Sequence, residues 1–201
     1  EWEHLRRLPG QEGLTLEQLS GNFQRLRFAN HTLKWERHTE FTRYSLVQAL
    51  PDKAMQGCSD EEMIAELVID PQWLAQIPGR TIAAIMLAMV HGDVDDAAAM
   101  RAQAAPWIND PAILASLLGI RRSCALTNFE LRDSGFERIL VISPPNTSEL
   151  RSGRTSQRLL ELETYRIMAL RGLPVAKDLS AMLGESENQL AEITAQMENT
   201  E

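Results

Sequence analysis

The chain has 201 residues, which is enough to bury a complete core, and this length predicts one or two domains. Its composition, 44% hydrophobic and 24% charged, is that of an ordinary folded protein and excludes a disordered chain. The net charge of -8, with basic residues dispersed along the sequence, argues against a phosphate-binding surface. We therefore predict no nucleic-acid partner.

The cysteines and the apolar runs indicate a compartment. Cys58 and Cys124 lie far apart and outside any CxxC spacing, which favours free thiols in a reduced cytoplasmic chain; a single bridge is the alternative. The longest apolar run, residues 82–90, is less than half of the roughly 20 residues that span a bilayer as a helix. The first residues lack a signal-peptide core, and the missing initiator methionine indicates an excised fragment.

The N-terminal quarter is predicted to change from helix to strand. Residues 1–8 and 15–19 are short helical candidates. From Arg25 onwards, aromatic and aliphatic residues alternate with polar ones, which is typical of strands. We predict extended segments over residues 25–37 and 40–47, either bent near residues 37–39 or continuous.

The middle of the chain predicts short helices around one buried strand. Residues 59–69 begin with a serine and an acidic turn, and residues 72–76 follow Asp-Pro, so both are predicted helices. Residues 81–90 suit either a helix or a buried strand, and we favour the strand. Residues 93–105 and 110–118 are predicted helices.

A hairpin and a long helical region complete the pattern. Residues 122–132 and 136–143 flank Asp133-Ser134-Gly135, in which glycine suits a positive φ. Residues 153–172 predict an amphipathic helix, Leu173-Pro174 predicts a break, and a second helix follows to the last residue.

These elements predict an α+β fold. Residues 1–150 form the α+β body, with an antiparallel sheet of about four to five strands and helices packed on one face. Residues 151–201 form a C-terminal helical hairpin or arm.

The last 27 residues carry an apolar seam. Its positions are spaced 4, 3, 4, 4, 3 and 4 residues apart, with Ser186 filling one gap. They are Val175, Leu179, Met182, Leu190, Ile193 and Met197. Because an apolar seam needs a partner, the arm either packs on its own domain or on the preceding helix, or it forms a homo-oligomer through Leu179, Met182, Leu190 and Ile193. The seam reaches the end of the sequence, which suggests a longer native chain.

One cluster has the chemistry of a ligand site. Glu36, His38 and Glu40 would share one face of an unbroken strand, where two carboxylates and an imidazole can hold a divalent metal or perform acid-base chemistry. The alternative is an ion-pair network with the neighbouring basic side chains. These are Lys34, Arg37 and Arg43. No other cofactor is predicted.

A second polar group is predicted between the helix and the sheet. Glu163 or Arg166 would dock against Arg37 or Glu40 in a buried network, or else the helix residues would form ordinary exposed pairs. The sequence contains no GxSxG, GxGxxG or GxxxxGK[ST] motif, so no reaction is indicated.

Two blocks resemble the signature blocks of a bacterial family, the domain of unknown function 3422. They are residues 33–41, LKWERHTEF, and residues 157–174, QRLLELETYRIMALRGLP. Residues 127–129 and 133–136 resemble the family's central hairpin, with Asn128 where the family commonly has Asp. Members are described as uncharacterised membrane-anchored proteins and have no assigned reaction.

The resemblance implies a location and a layout. We expect a non-catalytic scaffold or interaction domain on the cytoplasmic side of the bacterial inner membrane, joined to the membrane through segments absent from this fragment. The alternative is a metal- or small-ligand-binding domain, with or without enzymatic activity, centred on Glu36, His38 and Glu40.

Overall fold

The computed structural model describes residues 1–8, 19–119 and 123–198. The α+β class is confirmed, and the chain divides into two compact units, Glu1–Ser152 and Gly153–Glu201. A short 3-10 helix lies at Asp52–Gln56. The strands are β1 Phe23–Arg27, β2 His31–Arg37, β3 Thr42–Gln48, β4 Ile85–His91, β5 Leu114–Leu118, β6 Ser123–Thr127 and β7 Glu137–Ser143. The helices are α1 Trp2–Arg6, α2 Asp60–Ala65, α3 Pro71–Ala75, α4 Ala97–Ile108 and α5 Glu149–Glu198.

The first sheet is antiparallel, in the order β1-β2-β3. In β2, Leu33 and Trp35 are buried, as the alternating pattern predicts, because alternate side chains of a strand share one face. A turn separates β1 from β2, and the amide of Phe28 donates to the carbonyl of His31 at 2.9 Å. The prediction of one extended segment over residues 25–37 is therefore wrong.

A core of buried side chains belongs to this first sheet and its helices. Its members are Leu5, Leu8, Leu19, Leu33, Trp35, Ile69 and Trp73. The indole of Trp73 donates to the carbonyl of His4 at 3.0 Å, which connects α3 to α1.

The second sheet has the order β4-β7-β6-β5, in which β4 runs parallel to β7 and the other pairs are antiparallel. All seven residues of β7 are buried, which agrees with the continuous apolar run expected of a central strand. Helix α4 packs on β7, and the indole of Trp107 donates to the carbonyl of Ile139 at 3.1 Å. The strands thus form two sheets, where the sequence predicted one antiparallel sheet.

Local signals in the first unit are mostly confirmed. Ser59 forms a capping box with Glu62, and Asp70 caps α3 with Pro71 in its first turn. Gly135 has the positive φ, 81°, expected in the hairpin turn. The candidate helix over residues 15–19 lies almost wholly outside the described residues.

The prediction of a helix over residues 110–118 is wrong, because residues 114–118 form β5. The strand pairs with β6, in a register that places Ser116 opposite Ala125. Its leucines and alanine suit a helix locally, but pairing with a neighbouring strand outweighs that preference.

Helix α5 is continuous over 50 residues and contains Pro174. The predicted break at Leu173-Pro174 is therefore wrong. Proline lacks an amide hydrogen, so the carbonyl of Leu170 loses its intrahelical bond while the helix continues on both sides. Among the described residues, no helix combines the length and the apolarity needed to cross a membrane.

Candidate functional site

The most strongly organised polar group in the structure is a buried ion pair between Asp60 and Arg138. The Asp60 carboxylate lies in the first turn of α2, and Arg138 is the second residue of β7. Both residues are buried, with Arg138 only 1% exposed. The Arg138 Nε donates to Asp60 Oδ1 at 2.7 Å, so two charges 78 residues apart in sequence neutralise each other.

The remaining donors of Arg138 bind main-chain carbonyls. Nη1 donates to the carbonyl of Trp107 at 2.9 Å, and Nη2 donates to the carbonyl of Cys58 at 3.0 Å. The guanidinium also lies 4.9 Å from the centre of the Trp107 ring. Arg138 therefore connects β7, the end of α4 and the loop before α2.

The other oxygen of Asp60 faces the hairpin turn. The hydroxyl of Ser134 donates to Oδ2, and the Arg132 guanidinium lies 3.6 Å from the same oxygen. Asp60 and Arg138 bind each other, two main-chain carbonyls and the hydroxyl of Ser134, so the pair holds four segments together. They do not present a reactive group to solvent.

An open cleft of about 350 Å³ adjoins this network. Its lining includes Asp60, Glu61, Glu62 and Asp133, with Arg132 as its basic residue. The carboxylates of Glu62 and Asp60 already accept hydrogen bonds from Ser59 and Arg138. The cleft is thus an acidic rim around a structural ion pair.

Glu36, His38 and Glu40 do not share one strand face. Strand β2 ends at Arg37, and Glu40 lies in the turn before β3. Glu36 lies 3.7 Å from the Lys34 ammonium and 3.8 Å from the Arg43 guanidinium. The His38 ring stacks on Phe41 at 4.4 Å.

This geometry corrects the assumption behind the predicted metal site. The two-residue spacing aligns side chains only within a continuous strand. Because the chain turns after Arg37, the spacing does not place Glu40 on the same face as Glu36. In the part of the chain that the structure describes, no group of three or more His, Cys, Asp or Glu side chains is arranged to hold a metal. Glu36 has the ion pairs expected from the alternative interpretation.

The residues of the predicted polar network lie in both units of the chain, with Arg37 in the first and Glu163 and Arg166 in the second. Arg37 lies 3.0 Å from the Glu1 carboxylate and stacks near the rings of Trp2 and Trp35. On α5, the Arg166 Nε donates to Glu163 at 2.6 Å, which is a pair between successive turns of one helix.

The side chains of the predicted seam are exposed. The exposed fractions are 53% for Leu179, 63% for Met182, 65% for Leu190 and 54% for Ile193. Apolar side chains of this size lose favourable burial when they remain in water. The seam is therefore an uncovered apolar stripe on α5.

A buried histidine lies in the aromatic core of the first sheet. The ring of His4 stacks on Trp73 at 4.3 Å and meets Tyr44 edge-on at 6.1 Å. Burial lowers the pKa of His4 from its ordinary value, and the positive charges of the amino terminus and Arg7 lower it further. Burial also lowers the pKa of His31.

We expect the protein to lose stability as the pH falls through about 6.5, the ordinary pKa of histidine. Below that pH the unfolded chain binds protons that the folded His4 and His31 resist, so protonation favours unfolding. The measurement is urea denaturation across this pH range. The variant His4→Phe should flatten the pH dependence, with His31→Phe as the comparison; an unchanged slope in both would contradict the assignment.

Sequence reasoning missed the Asp60–Arg138 pair. One signal was present, since Arg138 directly precedes an apolar run that is typical of a strand buried on both faces. An arginine at such a position requires a buried acidic partner. The sequence alone does not select Asp60 from the 28 acidic residues.

The protein is thus of the mixed α+β class. A buried ion pair joins segments of its first unit, and a long helix, α5, comes last in the chain. The chain belongs to the family described as Protein of unknown function (DUF3422), whose model matches residues 1–201. The match confirms the resemblance carried by residues 33–41 and 157–174. No curated protein and no solved structure matches the chain.

Proposed function

We propose that the protein is a non-catalytic scaffold that associates with a second copy of itself through α5. The supporting observation is the exposed apolar stripe on the C-terminal half of that helix. A long helix with an apolar stripe is stabilised when the stripe is covered by another helix.

The spacing of the stripe favours a helical partner. Leu179, Met182 and Ser186 are followed 11 residues later by Leu190, Ile193 and Met197. An 11-residue repeat has about 3.67 residues per turn, close to the 3.6 of an α-helix, so the stripe stays on one side of a nearly straight helix. Two such helices can remain in contact along their whole length.

The charges support self-association. At 100° per residue, Lys177 and Glu192 project away from the stripe, and its borders carry the neutral Ala176, Gln189 and Thr194 together with one charged residue, Asp178. Few like charges therefore meet when two copies approach, although the whole chain carries -8.

We further propose that the protein lies on the cytoplasmic side of a bacterial inner membrane, linked to it through segments outside residues 1–201. The free thiols Cys58 and Cys124 support a reducing compartment. Burial raises the pKa of the Cys124 thiol, which keeps it protonated and unreactive. The membrane link rests on the resemblance to the family.

We expect the double variant Leu179→Glu, Leu190→Glu to weaken association through α5 ~100-fold or more, because each substitution occurs twice in a dimer and places charge in an apolar seam. The measurement is sedimentation equilibrium of the chain of 201 residues. A matched control, Ala181→Glu with Asn188→Glu, adds the same charge on the opposite side of the helix.

Three outcomes would contradict the proposal. The wild-type chain could sediment as a monomer at its highest soluble concentration. The control could dissociate the complex as strongly as the seam variant does. Finally, the seam variant could stay monomeric like the wild type but unfold at a lower temperature, which is expected if the stripe packs on its own chain.

A further inference from the structure

Strand β5 forms an edge of the second sheet, and it is exposed on both faces. The sheet order ends at β5, so in the described part of the chain only β6 pairs with it. Leu114 is 56% exposed and Leu117 is 48% exposed, and these two side chains lie on opposite faces of the strand. By contrast, every residue of the neighbouring β6 is buried.

The edge also lacks the features that usually prevent pairing. Exposed edge strands normally carry lysine, proline or inward-pointing charge, because unpaired main-chain groups attract other strands. The stretch Ile113–Gly119, ILASLLG, contains no charged residue and no proline. The outer edge of β5 can therefore bind an extended segment through main-chain hydrogen bonds.

The sequence of β5 is complementary to β5 of a second copy. In an antiparallel pair centred on Ser116, Leu114 faces Leu118 of the other copy, Ala115 faces Leu117, and Ser116 faces Ser116. Apolar residues then face apolar residues, and the two serines can share a hydrogen bond. No like charges oppose each other, which matters for a chain with a net charge of -8.

We propose that β5 pairs antiparallel with β5 of a second copy, which joins two four-stranded sheets into one continuous eight-stranded sheet. The pairing is isologous, so this interface taken alone joins two copies and no more. Among the described strands β4 is the other edge of this sheet, and pairing of β5 with β4 would be heterologous and would produce open filaments. This interface lies on a different element from the stripe of α5 and does not depend on it.

Disulfide trapping tests the register. In the proposed pair the two copies of residue 116 have Cα atoms about 4.5–5.5 Å apart, within the ~4.4–6.8 Å range of a disulfide. We therefore expect Ser116→Cys to form a covalent dimer under mild oxidation. Cys58→Ala is included in every variant so that this half-buried native thiol does not contribute.

Two matched cysteine variants provide the controls. In Leu114→Cys alone the two thiols are offset by four residues, or ~14 Å, and should not cross-link. A mixture of Leu114→Cys and Leu118→Cys chains should cross-link, because those positions face each other. Equal cross-linking by Ser116→Cys and Leu114→Cys would overturn the antiparallel register.

Each cysteine variant is also made with Leu179→Glu and Leu190→Glu. Cross-linking through Ser116→Cys should persist there, which separates this interface from the one proposed on α5. If α5 alone joins the copies, the wild-type chain remains a dimer but Ser116→Cys gives no covalent product, and the proposal fails. Absence of cross-linking together with filaments would instead indicate pairing with β4.

Introducing a positive charge at the centre of the pair provides a second readout. In the background of Leu179→Glu with Leu190→Glu, Ser116→Lys should weaken dimerisation by ~10-fold or more, since two lysines face each other at the centre. Ser116→Thr keeps a neutral hydroxyl and should dimerise as the parent does. Circular dichroism checks that both variants are folded; equal dimerisation by both would overturn the proposal.

Discussion

Replacing Arg138 by methionine is expected to lower the free energy of unfolding by about 3–5 kcal/mol. The change leaves the buried Asp60 carboxylate without its closest cation. It also removes the donors that bind the carbonyls of Trp107 and Cys58. Chemical denaturation followed by tryptophan fluorescence measures the loss.

The controls separate the buried pair from a more exposed charge near the same carboxylate. Arg132 also lies near Asp60, but its side chain is 23% exposed, so Arg132→Gln should cost less than about 1 kcal/mol. The double variant Asp60→Asn, Arg138→Met should be more stable than Arg138→Met alone, because no unpaired charge stays buried. A loss below about 1 kcal/mol for Arg138→Met would show that the pair does not support the fold.

Trp35→Ala is expected to lower the free energy of unfolding by about 3–5 kcal/mol through a cavity in the core of the first sheet. Trp35 is 0% exposed, and its ring packs 4.9 Å from that of Trp2. Truncation removes both the buried ring and the surface on which Arg37 stacks. Thermal and urea denaturation give the change in stability.

Two comparisons test whether the effect comes from the core. Trp35→Phe keeps most of the ring and should cost less than Trp35→Ala. Val47→Ala lies on the same sheet but is 59% exposed, and it should change stability by less than about 0.5 kcal/mol. If Val47→Ala and Trp35→Ala were equally destabilising, the assignment of the core to the Trp35 face would be wrong.

One turn decides where Glu36, His38 and Glu40 lie relative to one another. Sequence spacing places Glu36, His38 and Glu40 on one face only if the strand continues past Arg37, and the structure shows that it does not. The pairing of β2 with β3 requires the chain to reverse there, and the amide of His38 donates to the carbonyl of Phe41 at 2.8 Å. The sequence shows that two carboxylates and an imidazole lie close together in the chain, but the reversal between β2 and β3 decides where their side chains lie.

Two local predictions are wrong: the helix break predicted in α5 is absent, and the helix predicted over the residues of β5 is a strand. Pro174 is a strong helix breaker, yet α5 is helical on both sides of it. Residues 114–118 contain leucine and alanine, yet they form a strand because β6 offers a complete set of main-chain partners. In β5, pairing with a neighbouring strand outweighs the local preference of a few residues.

The sequence by itself determined the features whose contacts lie within a few residues. The capping box of Ser59, the Asp70-Pro71 helix start and the turn at Gly135 depend on hydrogen bonds and dihedral angles of neighbours, so composition and spacing suffice to predict them. The α+β class and the membership of the family also follow from the sequence alone.

Only the tertiary structure decided which distant segments meet. The division into two sheets, the parallel pairing of β4 with β7 and the choice of Asp60 for Arg138 join residues about 50 to 80 positions apart. Local sequence does not distinguish among the several apolar strands that could pair or among the many acidic side chains that could bind Arg138. Close packing and the neutralisation of buried charge select among them only when the whole chain is folded.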